Sequence, residues 1–198
     1  MESAWDQLLH INTNGRDDSN ADEYRYPYEP TPYSVLERLA DSGFMGNGNV
    51  LLDYGCGKGR VSFFLAQQTK AKTIGIEYDA RIYECALKNR NTATSKAEFI
   101  WTRAEEYPVP SEVDRCYFFN PFSVELLRKV MARVLESYYC KPRELFLFFY
   151  YPSDEYISYL MTVEELEFYD EIECEDLFGG KDPRERIMIF QLPFYGST

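Results

Sequence analysis

The sequence is poor in the side chains that most often hold metal ions. It has one histidine, His10, and its five cysteines are widely spaced, with no CxxC pair among them. A single histidine cannot build a zinc site without a thiolate cluster. Isolated thiols are typical of proteins from a reducing compartment. We therefore expect no metal site and a cytoplasmic protein.

Cations are also scarce, because 21 Lys and Arg face 33 Asp and Glu, which gives a formal charge of −12. A surface this negative repels phosphate backbones and anionic lipids, so nucleic acid is disfavoured as a partner. The apolar run Leu145–Tyr151 is far shorter than the roughly 20 residues of a membrane-spanning helix. The N-terminus has no basic start and no long apolar core, so no secretory signal is predicted. We expect no membrane partner.

The chain has 198 residues and a surplus of aromatic side chains, with 17 Tyr and 14 Phe. This length suits one compact domain with a short arm. Residues 1–48 are expected to form an N-terminal arm and a lid-like helix, for which Thr31 is the predicted N-cap and Pro32 the first helical residue. Residues 49–198 are expected to form the main domain.

From residue 49 onward, short apolar runs alternate with segments of helical periodicity. This alternation predicts an α/β fold with a doubly wound, mostly parallel sheet. The last two apolar runs flank a GGKD turn and predict an antiparallel hairpin at the C-terminal end. The predicted strands are 50–54, 73–78, 98–101, 115–119, 144–151, 168–175 and 185–192.

A glycine-rich turn follows the first predicted strand, with Asp53 just before Gly55, Gly57 and Gly59. Such a turn lets backbone N–H groups approach a ligand at a helix N-terminus. The spacing matches neither a Walker P-loop nor the dinucleotide fingerprint. Glu77 ends the next strand, where a carboxylate can accept hydrogen bonds from ribose hydroxyls. Two alternatives stay open, a turn without a ligand and a nicotinamide dinucleotide site.

The segment VLLDYGCGKGR, followed by IGIEYD, resembles the class I S-adenosylmethionine-dependent methyltransferases, over roughly residues 49–122 by motif. The resemblance implies a Rossmann-like sheet of seven strands, with the last strand inserted antiparallel, and S-adenosylmethionine as cofactor. It places Asp53 near the methionine amino group, Glu77 at the ribose hydroxyls and Tyr78 against the adenine. The residues that it assigns to the cofactor here are Asp53, Gly55, Cys56, Gly57, Gly59, Glu77 and Tyr78.

The chain departs from the family after the third strand. The family often has an Asp there that bonds the adenine amine, and Arg103 stands at that position. Arginine has no acceptor and cannot replace a carboxylate. Either the Ala104 backbone and Glu105 recognise the adenine, or the contact is lost.

The fourth strand ends in Asn120-Pro121-Phe122, which resembles the [DNS]PP[YFW] signature of amino-group methyltransferases without its second proline. The resemblance implies catalytic roles for these three residues. Asn120 would border the cofactor and accept a hydrogen bond from the methyl acceptor, and Phe122 would stack on a planar acceptor. The alternative is a strand end at which Asn120 caps the following helix.

Three tyrosines of the N-terminal arm, Tyr26, Tyr28 and Tyr33, are candidate lid or acceptor-pocket residues. Stacked tyrosines suit a sulfonium or an amine through cation–π attraction. Alternatively, they only pack the arm onto the sheet. The acidic segment 163–176 is either a docking site for a basic protein or a solvated face.

Together, these features predict an S-adenosylmethionine-dependent methyltransferase that acts on nitrogen, with a small molecule or a protein side chain as acceptor. The alternative is a non-catalytic protein that binds S-adenosylmethionine or serves as a scaffold. The sequence leaves the acceptor and the oligomeric state open.

Overall fold

Seven strands form a single sheet in the computed structural model, which describes residues 2–17, 19 and 23–195. The helices are α1 (Glu2–Leu9), α2 (Tyr33–Asp41), α3 (Arg60–Thr69), α4 (Ala80–Thr92), α5 (Val124–Cys140) and α6 (Asp154–Leu160). The strands are β1 (Val50–Tyr54), β2 (Lys72–Glu77), β3 (Glu98–Trp101), β4 (Arg115–Phe118), β5 (Leu145–Tyr150), β6 (Glu167–Glu173) and β7 (Arg186–Leu192).

The strand order is β3-β2-β1-β4-β5-β7-β6. The first five strands run parallel, and β7 lies antiparallel between β5 and β6. This order confirms the predicted doubly wound sheet and its C-terminal antiparallel hairpin. Strands β2 and β3 are added on one side of β1, and β4 and β5 on the other. At this switch the carboxyl ends of β1, β2 and β4 border one crevice, where sheets of this kind bind ligands.

The apolar run of β5 is explained by helices on both faces of the sheet. Leu147 and Phe149 belong to one buried cluster, whereas Phe146, Phe148 and Tyr150 belong to the other. Side chains alternate between the faces of a strand, so a central strand covered on both faces needs apolar residues throughout. Helices α1–α4 contribute to one cluster, and α5 and α6 to the other.

Two local predictions about helix starts are wrong. Helix α2 begins at Tyr33, with Pro32 at the N-cap, and the Thr31 hydroxyl instead lies 3.0 Å from the Tyr117 hydroxyl. Helix α5 is capped by Ser123, whose side chain accepts a hydrogen bond from the backbone N–H of Leu126. Asn120 therefore does not cap the helix that follows it.

Across the described ranges, no helix is both long and apolar enough to cross a membrane. The same part of the chain contains no group of three or more His, Cys, Asp or Glu side chains that could hold a metal ion. All five cysteines are free thiols.

Candidate active site

The glycine turn lies between β1 and α3, and its backbone leaves no room for side chains. Gly55, Gly57 and Gly59 have φ angles of 67°, 58° and 92°, which L residues rarely adopt. A methyl group built on Gly55 would lie 2.8 Å from Cβ of Pro121. The glycines therefore allow the turn to contact the end of β4 directly.

Glu77, the last residue of β2, fixes the conformation of this turn. Its carboxylate accepts hydrogen bonds from the backbone N–H groups of Gly57 at 3.1 Å and of Tyr78 and Asp79 at 2.9 Å. Burial raises the pKa of Glu77 to about 7, although these three donors act in the opposite direction. The carboxylate faces the cavity between β1 and β2, which we call the first cavity.

Asp53 is buried beside the same turn and also faces the first cavity. Its carboxylate accepts a hydrogen bond of 2.8 Å from the Ser62 hydroxyl. Burial raises the pKa of Asp53 to about 7, and the nearby charge of Glu77 adds to this effect. Neither Asp53 nor Glu77 forms an ion pair with a described residue. Two such buried carboxylates favour a ligand that donates hydrogen bonds or carries positive charge.

At the other side of the first cavity, Arg25 from the N-terminal arm lies between Tyr78 and Glu105. Its guanidinium donates a hydrogen bond of 2.8 Å to Glu105 and lies 4.9 Å from the centre of the Tyr78 ring. Ala104 also lines this cavity. Arg103 is exposed and forms an ion pair with Glu106 at 3.6 Å. The structure thus brings Ala104 and Glu105 to the cavity that Tyr78 lines.

Tyr28 of the arm covers the glycine turn. A methyl group built on Gly57 would lie 2.1 Å from Cε2 of the Tyr28 ring. The Tyr28 hydroxyl donates a hydrogen bond of 2.7 Å to the carbonyl of Thr13, and burial raises the pKa of this phenol. A tyrosine of the arm therefore forms the wall of the first cavity beside the glycine turn.

Arg60, the first residue of α3, holds the arm in place and was not singled out by the sequence. Its buried guanidinium donates to the Thr13 hydroxyl at 2.7 Å, the Asn14 side chain at 2.9 Å and the Thr31 carbonyl at 3.1 Å. It also lies 4.3 Å from the centre of the Tyr33 ring. The only local sign was an arginine directly after the glycine turn.

Tyr33 lies away from the first cavity, contrary to its predicted lid position. It is fully buried at the start of α2, where its hydroxyl donates to Asp6 and its ring contacts Trp5 and Phe64. Tyr26 lines both the first cavity and a second one at the carboxyl ends of β4 and β5. Among the three tyrosines, Tyr26 and Tyr28 line a cavity.

The three residues of the Asn120-Pro121-Phe122 segment line two different cavities. Asn120 lines the second cavity, has a φ of 40°, and its buried Oδ1 has no hydrogen-bond partner among the described residues. Pro121 contacts Gly55, and Phe122 lines the first cavity while its ring lies edge-on to Phe118. Asn120 is thus the residue of the motif with unused hydrogen-bonding capacity.

Another residue that the sequence did not single out is Gly75, in the middle of β2. A methyl group there would lie 2.7 Å from both Cβ and Sγ of Cys56. Cys56 in turn donates its backbone N–H to the Ile76 carbonyl at 3.0 Å and lines the first cavity. A glycine inside a predicted strand was the available signal of this close contact.

Sequence comparison finds similarity to methyltransferases. The profile of a family described as a methyltransferase domain matches residues 51–139. The chain is 35% identical over 78 residues to a protein-lysine N-methyltransferase of Saccharolobus islandicus (strain REY15A). This match covers 37% of the chain and spans about half, 48%, of that relative.

Two solved structures show the same fold. An RNA methyltransferase from Salinibacter ruber, solved in complex with S-adenosyl-L-homocysteine, is 19% identical with a TM-score of 0.59, over 85% of this chain and 97% of its own. A TehB-like SAM-dependent methyltransferase from Corynebacterium glutamicum is 15% identical with a TM-score of 0.59, over 98% and 96%. At these identities, the likeness concerns the fold.

Proposed function

We propose that the chain is a class I S-adenosylmethionine-dependent methyltransferase and that it transfers a methyl group to an amine nitrogen of a protein lysine side chain. The observation that carries the choice of nitrogen is the buried, unpartnered Oδ1 of Asn120. A carbonyl oxygen at this place can accept a hydrogen bond from an amine N–H and orient its lone pair.

The polar groups that line the first cavity fit S-adenosylmethionine. Asp53 and Glu77 present buried carboxylates at the carboxyl ends of adjacent strands. In the proposed complex, Asp53 attracts the cationic amino group of the cofactor and Glu77 accepts hydrogen bonds from its ribose hydroxyls. Tyr78, Ala104 and Glu105 lie on the side proposed for the adenine.

When bound, the cofactor supplies an electrophilic methyl group on a sulfonium. The protein then has to hold the acceptor nitrogen in line with that group and to keep water away. Tyr28 and Pro121 narrow the space beside the glycine turn. Asn120 holds the acceptor from the second cavity in this proposal.

The similarity to a protein-lysine N-methyltransferase supports lysine as the acceptor. The formal charge of −12 agrees with a basic, lysine-rich partner. A base must first accept a proton from the lysine ammonium, since only the neutral amine has a lone pair to donate, and a dry environment eases this step by lowering the pKa of the ammonium.

The test is transfer of a labelled methyl group from S-adenosylmethionine into a protein extract, followed by identification of the labelled residue. We expect label on protein lysine with the wild-type chain and none with Asp53→Asn. Label confined to small metabolites would contradict lysine as the acceptor. Absence of any label, with the cofactor bound, would support the alternative of a non-catalytic binding protein.

A further inference from the structure

The second cavity opens at the carboxyl ends of β4 and β5 and is walled by aromatic rings. Phe119 and Tyr150 have ring centres 4.7 Å apart, and Tyr151 and Tyr26 also line the cavity. Asn120 lies at the same cavity with its unpartnered oxygen. The walls therefore combine aromatic rings with polar groups, among them the charged side chains of Arg16, Glu29 and Glu185.

The two strands that border this cavity both end in a non-glycine residue with a left-handed backbone. Asn120 follows β4 with a φ of 40°, and Tyr151 follows β5 with a φ of 51°. Tyr151 is held there by a hydrogen bond from its backbone N–H to the Arg186 carbonyl at 3.0 Å. Its hydroxyl also donates to Asp182 at 2.7 Å. Conformations of this kind cluster at functional sites.

The cavity also contains a carboxylate that forms no ion pair with any described residue. Glu185 precedes β7, and its Oε2 accepts a hydrogen bond of 2.6 Å from the Tyr150 hydroxyl. Within the described ranges, Glu185 takes part in no ion pair, whereas the neighbouring Arg184 is paired with Asp182 and Arg186 with Glu171. A phenol donor leaves the negative charge of Glu185 in place.

A second carboxylate of this cavity, that of Glu29, is already paired. It lies 3.9 Å from Arg16, and both of these side chains are exposed. The pair contributes little net charge to the cavity. Among the described charged residues that line the cavity, Arg16 and Glu29 pair with each other and Glu185 has no ion-pair partner.

We infer that the second cavity is the acceptor subsite and that it selects a protonated alkylamine, the side chain of a lysine, by the charge of Glu185 and the faces of its aromatic walls. This inference rests on the proposed function and adds the residue that discriminates the acceptor. Aromatic rings attract an ammonium through cation–π interaction, and a carboxylate adds a charge-assisted hydrogen bond. Glu185 is a specificity-determining residue in this account, and Asn120 orients the nitrogen.

The test compares two probes on the full chain with S-adenosylhomocysteine present, at up to 100 mM probe. One is N-acetyl-lysine methylamide, and the other is N-acetyl-norleucine methylamide, which has the same backbone and an alkyl chain without the amine. Binding is followed by NMR. We expect the wild type to bind the lysine probe about 10-fold more tightly, a difference of about 1.4 kcal/mol.

Glu185→Gln is expected to abolish this preference. The matched control is Glu144→Gln, at the opposite end of β5, where an exposed carboxylate accepts a hydrogen bond from the Gln191 amide at 3.0 Å. Glu144→Gln should keep the preference. Tyr150→Phe, which keeps the ring and the carboxylate, should keep most of it. If Glu185→Gln fails to fold, Glu185→Ala takes its place and should likewise abolish the preference.

Equal binding of the two probes by the wild type, or no binding of either, overturns the inference. Retention of the preference in Glu185→Gln also overturns it. These outcomes are separate from the proposed function, because the extract experiment detects methyl transfer without reference to Glu185. Methyl label on lysine in the extract experiment, together with equal binding of the two probes, would refute this inference and leave the proposed function in place.

Discussion

The two cavities at the carboxyl edge of the sheet are built in different ways. The first is formed by backbone: glycines in left-handed conformations, and a Glu77 carboxylate that accepts three backbone N–H groups. The second is formed by side chains, with aromatic walls and the polar groups of Asn120 and Glu185. A backbone-built cavity suits one invariant ligand, whereas a side-chain-built cavity can be tuned to a particular acceptor.

The arm spans both cavities and makes this comparison testable. Its backbone joins the end of β4, because the Tyr26 N–H donates to the Pro121 carbonyl at 3.2 Å and the Ser123 N–H donates to the Tyr24 carbonyl at 2.8 Å. Tyr26 then contributes to both cavities. A substitution in the first cavity should therefore change the affinity for the cofactor, and one in the second cavity should change the rate of methyl transfer, unless the substitution displaces the arm.

The largest effect is expected from Asp53→Asn, which removes one buried charge from the first cavity. We predict a loss of about 100-fold in affinity for S-adenosylhomocysteine, as expected when a charged hydrogen bond is lost. Calorimetric titration measures it. Asp41→Asn, at the exposed end of α2, is the control and should bind like the wild type. Equal affinity of Asp53→Asn and the wild type would show that the Asp53 carboxylate does not contribute to cofactor binding.

Asn120→Ala tests the second cavity. We predict a rate of methyl transfer lower by on the order of 100-fold, typical of removing one positioned polar group from a reacting centre. The affinity for S-adenosylhomocysteine should not change. Asn91→Ala, at the exposed end of α4, is the control. A weaker cofactor affinity with an unchanged rate would reverse the assignment of the two cavities.

Arg60→Met tests the attachment of the arm. It removes donors to Thr13, Asn14 and Thr31, and we predict a free energy of unfolding lower by about 2–3 kcal/mol. Urea denaturation measures it. Arg103→Met, which breaks only an exposed pair, should stay within about 0.5 kcal/mol of the wild type. Equal stability of the two variants would show that Arg60 does not anchor the arm.

The smallest effect concerns pH. Burial raises the pKa values of Asp53 and Glu77 to about 7, so the folded protein holds these protons more tightly than the unfolded chain. The stability of the cofactor-free protein should therefore fall as pH rises from about 4 to 7. A cationic ligand favours the ionised form, and its affinity should rise about 10-fold from pH 6 to pH 8. Calorimetry at several pH values checks this, and a flat profile would contradict it.

Much of the first cavity could be predicted from the sequence because its parts are close together in the chain. Asp53 and the glycines lie within one turn, and Glu77 ends the next strand. The doubly wound, mostly parallel sheet also followed from the alternation of apolar runs with helical segments. The resemblance to a known family added the antiparallel insertion of the last strand and the cofactor.

The second cavity could not be predicted in this way, because its residues come from distant parts of the chain. Tyr26, Asn120, Tyr150 and Glu185 meet only after the sheet and the arm are assembled. The tyrosines of the arm also have no periodicity that separates a buried anchor from a cavity wall. Tyr33 and Tyr28 accordingly have different environments, one in the core and one on the glycine turn.

The most direct test of the central claim is calorimetric titration of the wild-type chain and of Asn120→Ala with S-adenosylhomocysteine. The two-cavity account predicts one binding site per chain, with the same affinity in both proteins, since Asn120 belongs to the acceptor side. Absence of heat from the wild type at millimolar ligand would contradict it.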